Sequence, residues 1–228
     1  MAQRDTHPGL GNFPSSQWLP GDRFVERLSL YVPETAYTPS QAELSVGLYA
    51  PGPDGYRLGI TDTSTGAGLG DAYPIGEIAF VPQTAVPDPT LPNPEAHVFE
   101  DRLQLVGYEY DNRTPPAGGA LAVTLYWQAL QAIPDEYEIQ VRLLGEDGSV
   151  LASYETLPQD GGRPTSTWVP GETIIDTHII PLGPELAGRT VTVQIAVQDA
   201  TTGQRLNLVG EDGRWLDDKL QLSPIVVR

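Results

Sequence analysis

The chain has 228 residues, 30 Asp and Glu against 13 Lys and Arg, a formal net charge of −17 and no cysteine. That length suffices for one large or two modest packed domains, while the acidity opposes phosphate backbones and anionic lipid surfaces, so nucleic acid is not an expected partner. Without cysteine there are no disulfides, thiolate nucleophiles or cysteine-based zinc sites.

In chain order, the opening "MAQRDTHPGLGN" has no apolar core of the secretory kind. The stretch "PSSQWLPGD" (14–22) follows, then a run with Phe24, Leu28, Leu30 and Val32 that reads as a strand. "ELSVGLYAPGPDGYRL" carries an alternating run and an Asp54-Gly55 hairpin signal, and "GEIAFVP" closes this part. Prolines at 82, 87, 89, 92 and 94 then read as a semi-rigid spacer, placed at 83–96, because proline removes ladder donors and favours extended backbone. Beyond it, period-two alternation dominates. Leu121, Val123, Leu125 and Trp127 share one parity; so do Ile139, Val141 and Leu143, and so do Val191, Val193, Ile195 and Val197. Such alternation predicts half-buried antiparallel strands, separated here by turns at Asp147-Gly148 and Asp212-Gly213. No run shows helical spacing, and no run approaches the roughly 18 apolar residues of a membrane span. The expected fold is all-β, with no direct membrane insertion by this segment.

Residues 164–172, "PTSTWVPGE", repeat 14–22 almost letter for letter. Trp18, Pro20 and Gly21 answer Trp168, Pro170 and Gly171, and Arg57-Leu58 answers Arg205-Leu206 at nearly the same distance downstream. Ordered matches at near-constant spacing mark a repeated structural unit. The strands around "FEDRLQLVGYEY", "ALAVTLYWQAL" and "YEIQVRLL" have no counterpart ahead of Trp18. The expectation is therefore an immunoglobulin-like or carbohydrate-module-like antiparallel sandwich at 97–228, preceded at 1–82 by the second half of another such unit, with Met1 falling in mid-domain. The rival arrangement is a small 1–82 sheet packed on the complete unit; an uncovered apolar face on the first sheet distinguishes the two.

Gly107-Tyr108, Leu125-Tyr126-Trp127, Asp147-Gly148, the stretch from Pro164 to Glu172 and Gly203 to Leu206 together resemble the C-terminal extracytoplasmic β-domain of bacterial membrane glycosyltransferases. These enzymes are of the protein mannosyltransferase type, and the domain is found in filamentous green non-sulfur bacteria. The resemblance covers 97–228 fully and 5–82 as a half unit. It implies a non-catalytic domain outside the membrane or at the cell surface, appended to a transferase or another surface protein. The many-helix membrane portion of that family is absent from this sequence, so no catalytic residue carries over.

The repeated Trp-x-Pro-Gly phrase is explained by structure alone: Trp buries a large area, and Pro-Gly turns the chain. Trp127 shares the parity of its apolar neighbours and is expected in the core. Trp215, in "GEDGRWLDD", sits beyond a turn and off any alternation. Together with Tyr108, Tyr110 and Tyr126 it is a candidate for exposed aromatic stacking against a sugar ring, which makes a glycan or cell-envelope component the expected partner. Asp212, with Asp217 and Asp218 close behind, offers oxygens for a calcium ion, although the spacing fits no EF-hand loop. No cofactor is otherwise expected. His7, His97 and His178 are scattered, and neither a G-x-S-x-G elbow nor a Walker-type glycine loop occurs. "NRT" at 112–114 is a sequon by letter. Thirty acids always offer some carboxylate pair, so a glycosidase fragment stays open beside an accessory domain and a structural spacer.

Overall fold

The computed structural model describes residues 3–50, 56–81, 86–210 and 212–228. Its strands are β1 (Ser40–Val46), β2 (Ile60–Thr61), β3 (Gly68–Gly70), β4 (Tyr73–Phe80), β5 (Pro94–Phe99), β6 (Leu103–Tyr110), β7 (Ala120–Ala129), β8 (Tyr137–Leu144), β9 (Val150–Thr156), β10 (Thr173–Pro181), β11 (Thr190–Asp199), β12 (Leu208–Val209), β13 (Leu220–Gln221) and β14 (Ile225–Val226). Short 3-10 turns are the only helical segments among the described residues, and no helix is long and apolar enough to cross a membrane.

The second unit is an antiparallel sandwich. One sheet runs β10-β7-β6-β5-β12; the other runs β13-β11-β8-β9, with β14 also on β11. The alternating runs supply the interior: Leu121, Val123, Leu125 and Trp127 of β7, Ile139, Val141 and Leu143 of β8, and Val191, Val193, Ile195 and Val197 of β11 all belong to one core cluster. Burying each such side chain contributes about 1.5–3 kcal/mol, which offsets the ordering entropy of the strands. The sandwich begins earlier than the spacing predicts. Pro94, at the first position of β5, pairs with Gly107, and Asn93 and Glu95 are buried, so the spacer ends before Asn93 and not at 96. Residue 82, residues 83–85 at the start of the expected spacer, and the Asp54-Gly55 turn lie outside the described residues.

β6 departs from simple alternation. Its register against β7 shifts between Leu105 and Gly107, a bulge that moves the following residues to the opposite face. Leu103 and Leu105 point into the core, and beyond the bulge so do Tyr108 and Tyr110. Gly107 is required here: a Cβ would meet the Pro92 carbonyl oxygen at 2.9 Å.

The repeat is structural as well as textual. Pro8–Gly11 and Ser15–Gln17 form 3-10 turns, matched 150 positions later by Pro158–Gly161 and Thr165–Thr167. Gly21 and Gly171 take φ of +95° and +80°, the left-handed conformation that the Pro-Gly corner needs. The Trp18 indole donates to the Phe13 carbonyl, and the Trp168 indole donates to that of Arg163, the same five-residue reach. The Gly9 N–H donates to Glu26 Oε1 at 3.0 Å, and the Gln159 N–H to Asp176 Oδ1 at 2.8 Å. Ladder register repeats too: Ala42↔Ile78 and Val46↔Tyr73 in β1·β4 correspond to Val191↔Ile225 and Ile195↔Leu220, and the register slips by one residue in between in both units. The bridges Tyr49↔Arg57 and Gln198↔Arg205 complete the match.

One predicted element is missing. Residues 23–31, the counterpart of β10, form no strand. β10 is a strand because β7 pairs with it along nine residues, from Thr173↔Gln128 to Pro181↔Ala120; among the described residues no such strand lies beside 23–31, and a lone extended segment has no ladder.

The units meet through the segment after residue 32. Thr35 is buried, its hydroxyl donating to the Gln221 carbonyl at 2.7 Å, and the Thr38 N–H donates to Asn93 Oδ1 at 2.5 Å. Tyr37 lies edge-on to Tyr108, and the Arg113 guanidinium sits 4.6 Å from the Tyr37 ring centre. Nevertheless Phe24, Leu30, Val46, Leu48, Ile75 and Ile78 stay 36–58% exposed, so the first sheet keeps an uncovered apolar face.

Candidate functional site

Trp215 lies where the sequence places it, 71% exposed. β12 runs into a hairpin closed by the Gly213 N–H to the Gly210 carbonyl, and the Val209↔Trp215 bridge sets Trp215 just past the tip. The neighbouring Leu216 is also exposed, its backbone held by the Leu208 carbonyl at 2.9 Å. Asp212 caps the turn by accepting from the Arg214 N–H, and its carboxylate pairs with the Arg214 guanidinium at 3.4 Å. A free indole face beside paired charges, on a backbone fixed by the hairpin, can stack on a flat apolar ring or sugar face and offer polar groups at its rim.

The tyrosines expected beside it do not join it. Tyr108 is fully buried; its hydroxyl donates to the Thr35 carbonyl at 2.6 Å and accepts from the Ser223 N–H. Tyr110 is buried likewise, its hydroxyl on the Ser223 carbonyl at 2.8 Å. The bulge in β6 is the physical reason for both corrections, since uninterrupted alternation would turn these rings outward. Burial pushes both phenols well above their ordinary pKa, so they serve as neutral hydrogen-bonding core residues. Tyr126 has the outward parity of β7 but is only 8% exposed; its hydroxyl donates to Glu109 Oε1 at 2.5 Å. Burial, then that bond to Glu109, raises its pKa to about 12. None of the three offers an open ring face.

The expected calcium ligands hold cations already present in the chain. Lys219 Nζ lies 2.9 Å from Asp217 and 3.1 Å from Asp218, and Arg205 lies 3.2 Å from Asp218. Burial pushes Asp218 up, but the bonds that Lys219 and Arg205 donate to it outweigh that and hold its pKa at about 2. Among the described residues, no group of three or more His, Cys, Asp or Glu converges as metal ligands.

The motif tryptophans differ in setting. Trp168 is buried in the core, and the Pro170-Gly171 corner is stitched to β7 by the Gly171 N–H to the Ala129 carbonyl at 3.0 Å. Trp18 is half-buried, packing on Phe24 at 5.0 Å, with the Pro20-Gly21 corner exposed beside it.

Sequence reasoning missed two buried polar clusters. In one, Asn93 Nδ2 donates to Glu95 Oε1 at 3.1 Å while Glu95 Oε2 meets His97 Nε2 at 3.0 Å; in the other, His178 Nε2 meets Asp176 Oδ2 at 2.8 Å. The i, i+2 acid-to-histidine spacing on one strand face was the available signal in both. Two concavities of about 200 and 250 Å³ are smaller than ordinary ligand pockets.

No family model matches the chain, and no curated protein matches it.

Proposed function

We propose that this chain is a non-catalytic accessory or interaction module that works outside the cytoplasm. It would be appended to a membrane glycosyltransferase or another surface protein and contact glycan through the Trp215 hairpin. One observation carries the reading: a tryptophan 71% exposed, in a unit whose other tryptophans, Trp127 and Trp168, are buried. An indole left in water contributes nothing to the core and is open to stacking. Screening the full chain on a glycan array tests this. Binding that disappears in Trp215→Ala, with the melting temperature unchanged, supports the proposal; no binding, or binding indifferent to Trp215, counts against it.

The spacer reading has its own support in the inter-unit joint. Thr35, Thr38, Asn93 and Tyr108 tie the units by hydrogen bonds and Tyr37 packs edge-on against Tyr108, which suits a stalk that holds other domains at a set distance.

A further inference from the structure

We infer that the apolar face of the first unit is an interaction surface whose occupant is the opening half of this same fold, a set of strands of the pattern that residues 94–156 contribute to the two sheets of the second unit. The inference does not depend on glycan binding. The second unit's interior is built from two contributions along the chain, β5–β9 and everything from Pro158 onward, each of which supplies strands to both sheets. Residues 8–80 reproduce the second contribution alone, down to the indole bond, the acid-to-turn bond and the ladder slip. Phe24, Leu30, Val46, Leu48, Ile75 and Ile78 are 36–58% exposed, whereas their counterparts Ile174, Ile180, Ile195, Val197, Leu222 and Ile225 are 2% exposed or less. Those counterparts share one core with side chains of β5, β6, β7 and β8, so the repeat itself specifies the cover.

Two backbone features specify it further. Among the described residues, 23–31 lack the strand that β7 provides to β10, and β1 lacks the neighbour that β8 provides to β11. The occupant must therefore bring two antiparallel edges as well as apolar side chains. A second copy of the chain stacking its own first sheet on this face would cover the side chains but supply no β7-like edge to 23–31. The entry to the surface is also preserved, since His7 and Leu157 lead into the two corners in the same extended conformation.

The experiment adds residues 94–157 directly ahead of Pro8 in the full chain, reproducing the Leu157–Pro158 connection. Amide exchange over 23–31 and β1, binding of an apolar dye, and Trp18 emission are measured against the unextended protein. Extension should slow exchange over 23–31 by about 100-fold or more, as strand formation within a cooperative unit does. It should also abolish dye binding and shift Trp18 emission to the blue. A control extension carrying Leu121→Asp and Val123→Asp in the added segment should restore dye binding. Unchanged exchange over 23–31, persistent dye binding, or equal protection by the control overturns the inference. So does an unextended chain that sediments as a dimer with Val46 and Leu48 already protected, since a second copy is then the occupant.

Discussion

The Tyr108 hydroxyl donates to the Thr35 carbonyl at 2.6 Å across 73 positions of sequence, and accepts from the Ser223 N–H at 3.1 Å. One phenol therefore satisfies a carbonyl from the first unit and an amide from the connection between β13 and β14 of the second. Tyr108→Phe keeps the ring and strands both backbone groups. Leaving a buried polar group unpaired costs about 1–3 kcal/mol, so the second unit's melting temperature should fall and amides near Thr35 should exchange faster. Loss of stability without a change near Thr35 would mean that the hydroxyl does not join the units.

The two motif tryptophans should separate under mutation. Trp168 is 4% exposed inside the core, and truncation of such a residue costs about 3–5 kcal/mol. Trp18 keeps the same indole bond but packs mainly on Phe24, so Trp18→Ala should cost roughly 1 kcal/mol or less. Chemical denaturation of both variants checks this, and equal losses would refute the difference in setting.

Parity made the core of β7, β8 and β11 legible, because nothing interrupts those runs and one face of each is buried. The repeated corner was legible because Trp, Pro and Gly each answer a fixed local demand. Parity failed at Tyr108 and Tyr110, where one extra residue at Val106 reverses the faces, and no residue type announces a bulge when Gly107 has other readings. It failed again at 23–31, because apolar pattern predicts which face a strand would bury and not whether a partner edge exists. Trp215 was found by the opposite signal, a large aromatic outside any period.

Glu95 gives the fold a pH dependence. Its side chain is 4% exposed, and burial raises its pKa above the ordinary 4.5 even though His97 and Asn93 bond to it. A carboxyl whose folded pKa is raised binds more protons folded than unfolded, so stability falls as pH rises from about 4.5 through the folded value. Glu95→Gln removes that loss. The variant should melt higher than the parent at pH 8 and lose its advantage at pH 4, as calorimetry at the two values would read; a constant difference would exclude the carboxyl as the cause.

Asp218 acts in the opposite direction. Held at about 2, it binds fewer protons folded than unfolded, so its contribution is complete above its ordinary 3.8 and is lost as pH falls towards 2. Asp218→Asn should lower stability at neutral pH and flatten the acid limb of the stability curve below pH 4. The same pairing governs calcium. Lys219 bridges Asp217 and Asp218 with a charge that cannot coexist with a divalent ion at those oxygens, and Arg205 holds the far side of Asp218. Millimolar calcium should therefore leave the parent's melting temperature unchanged. Lys219→Met removes the bridging ammonium, so a calcium-dependent rise in that variant alone would show that the lysine occupies the cation's place. A rise of equal size in the parent would show instead that the carboxylates rearrange to take the ion despite their basic partners.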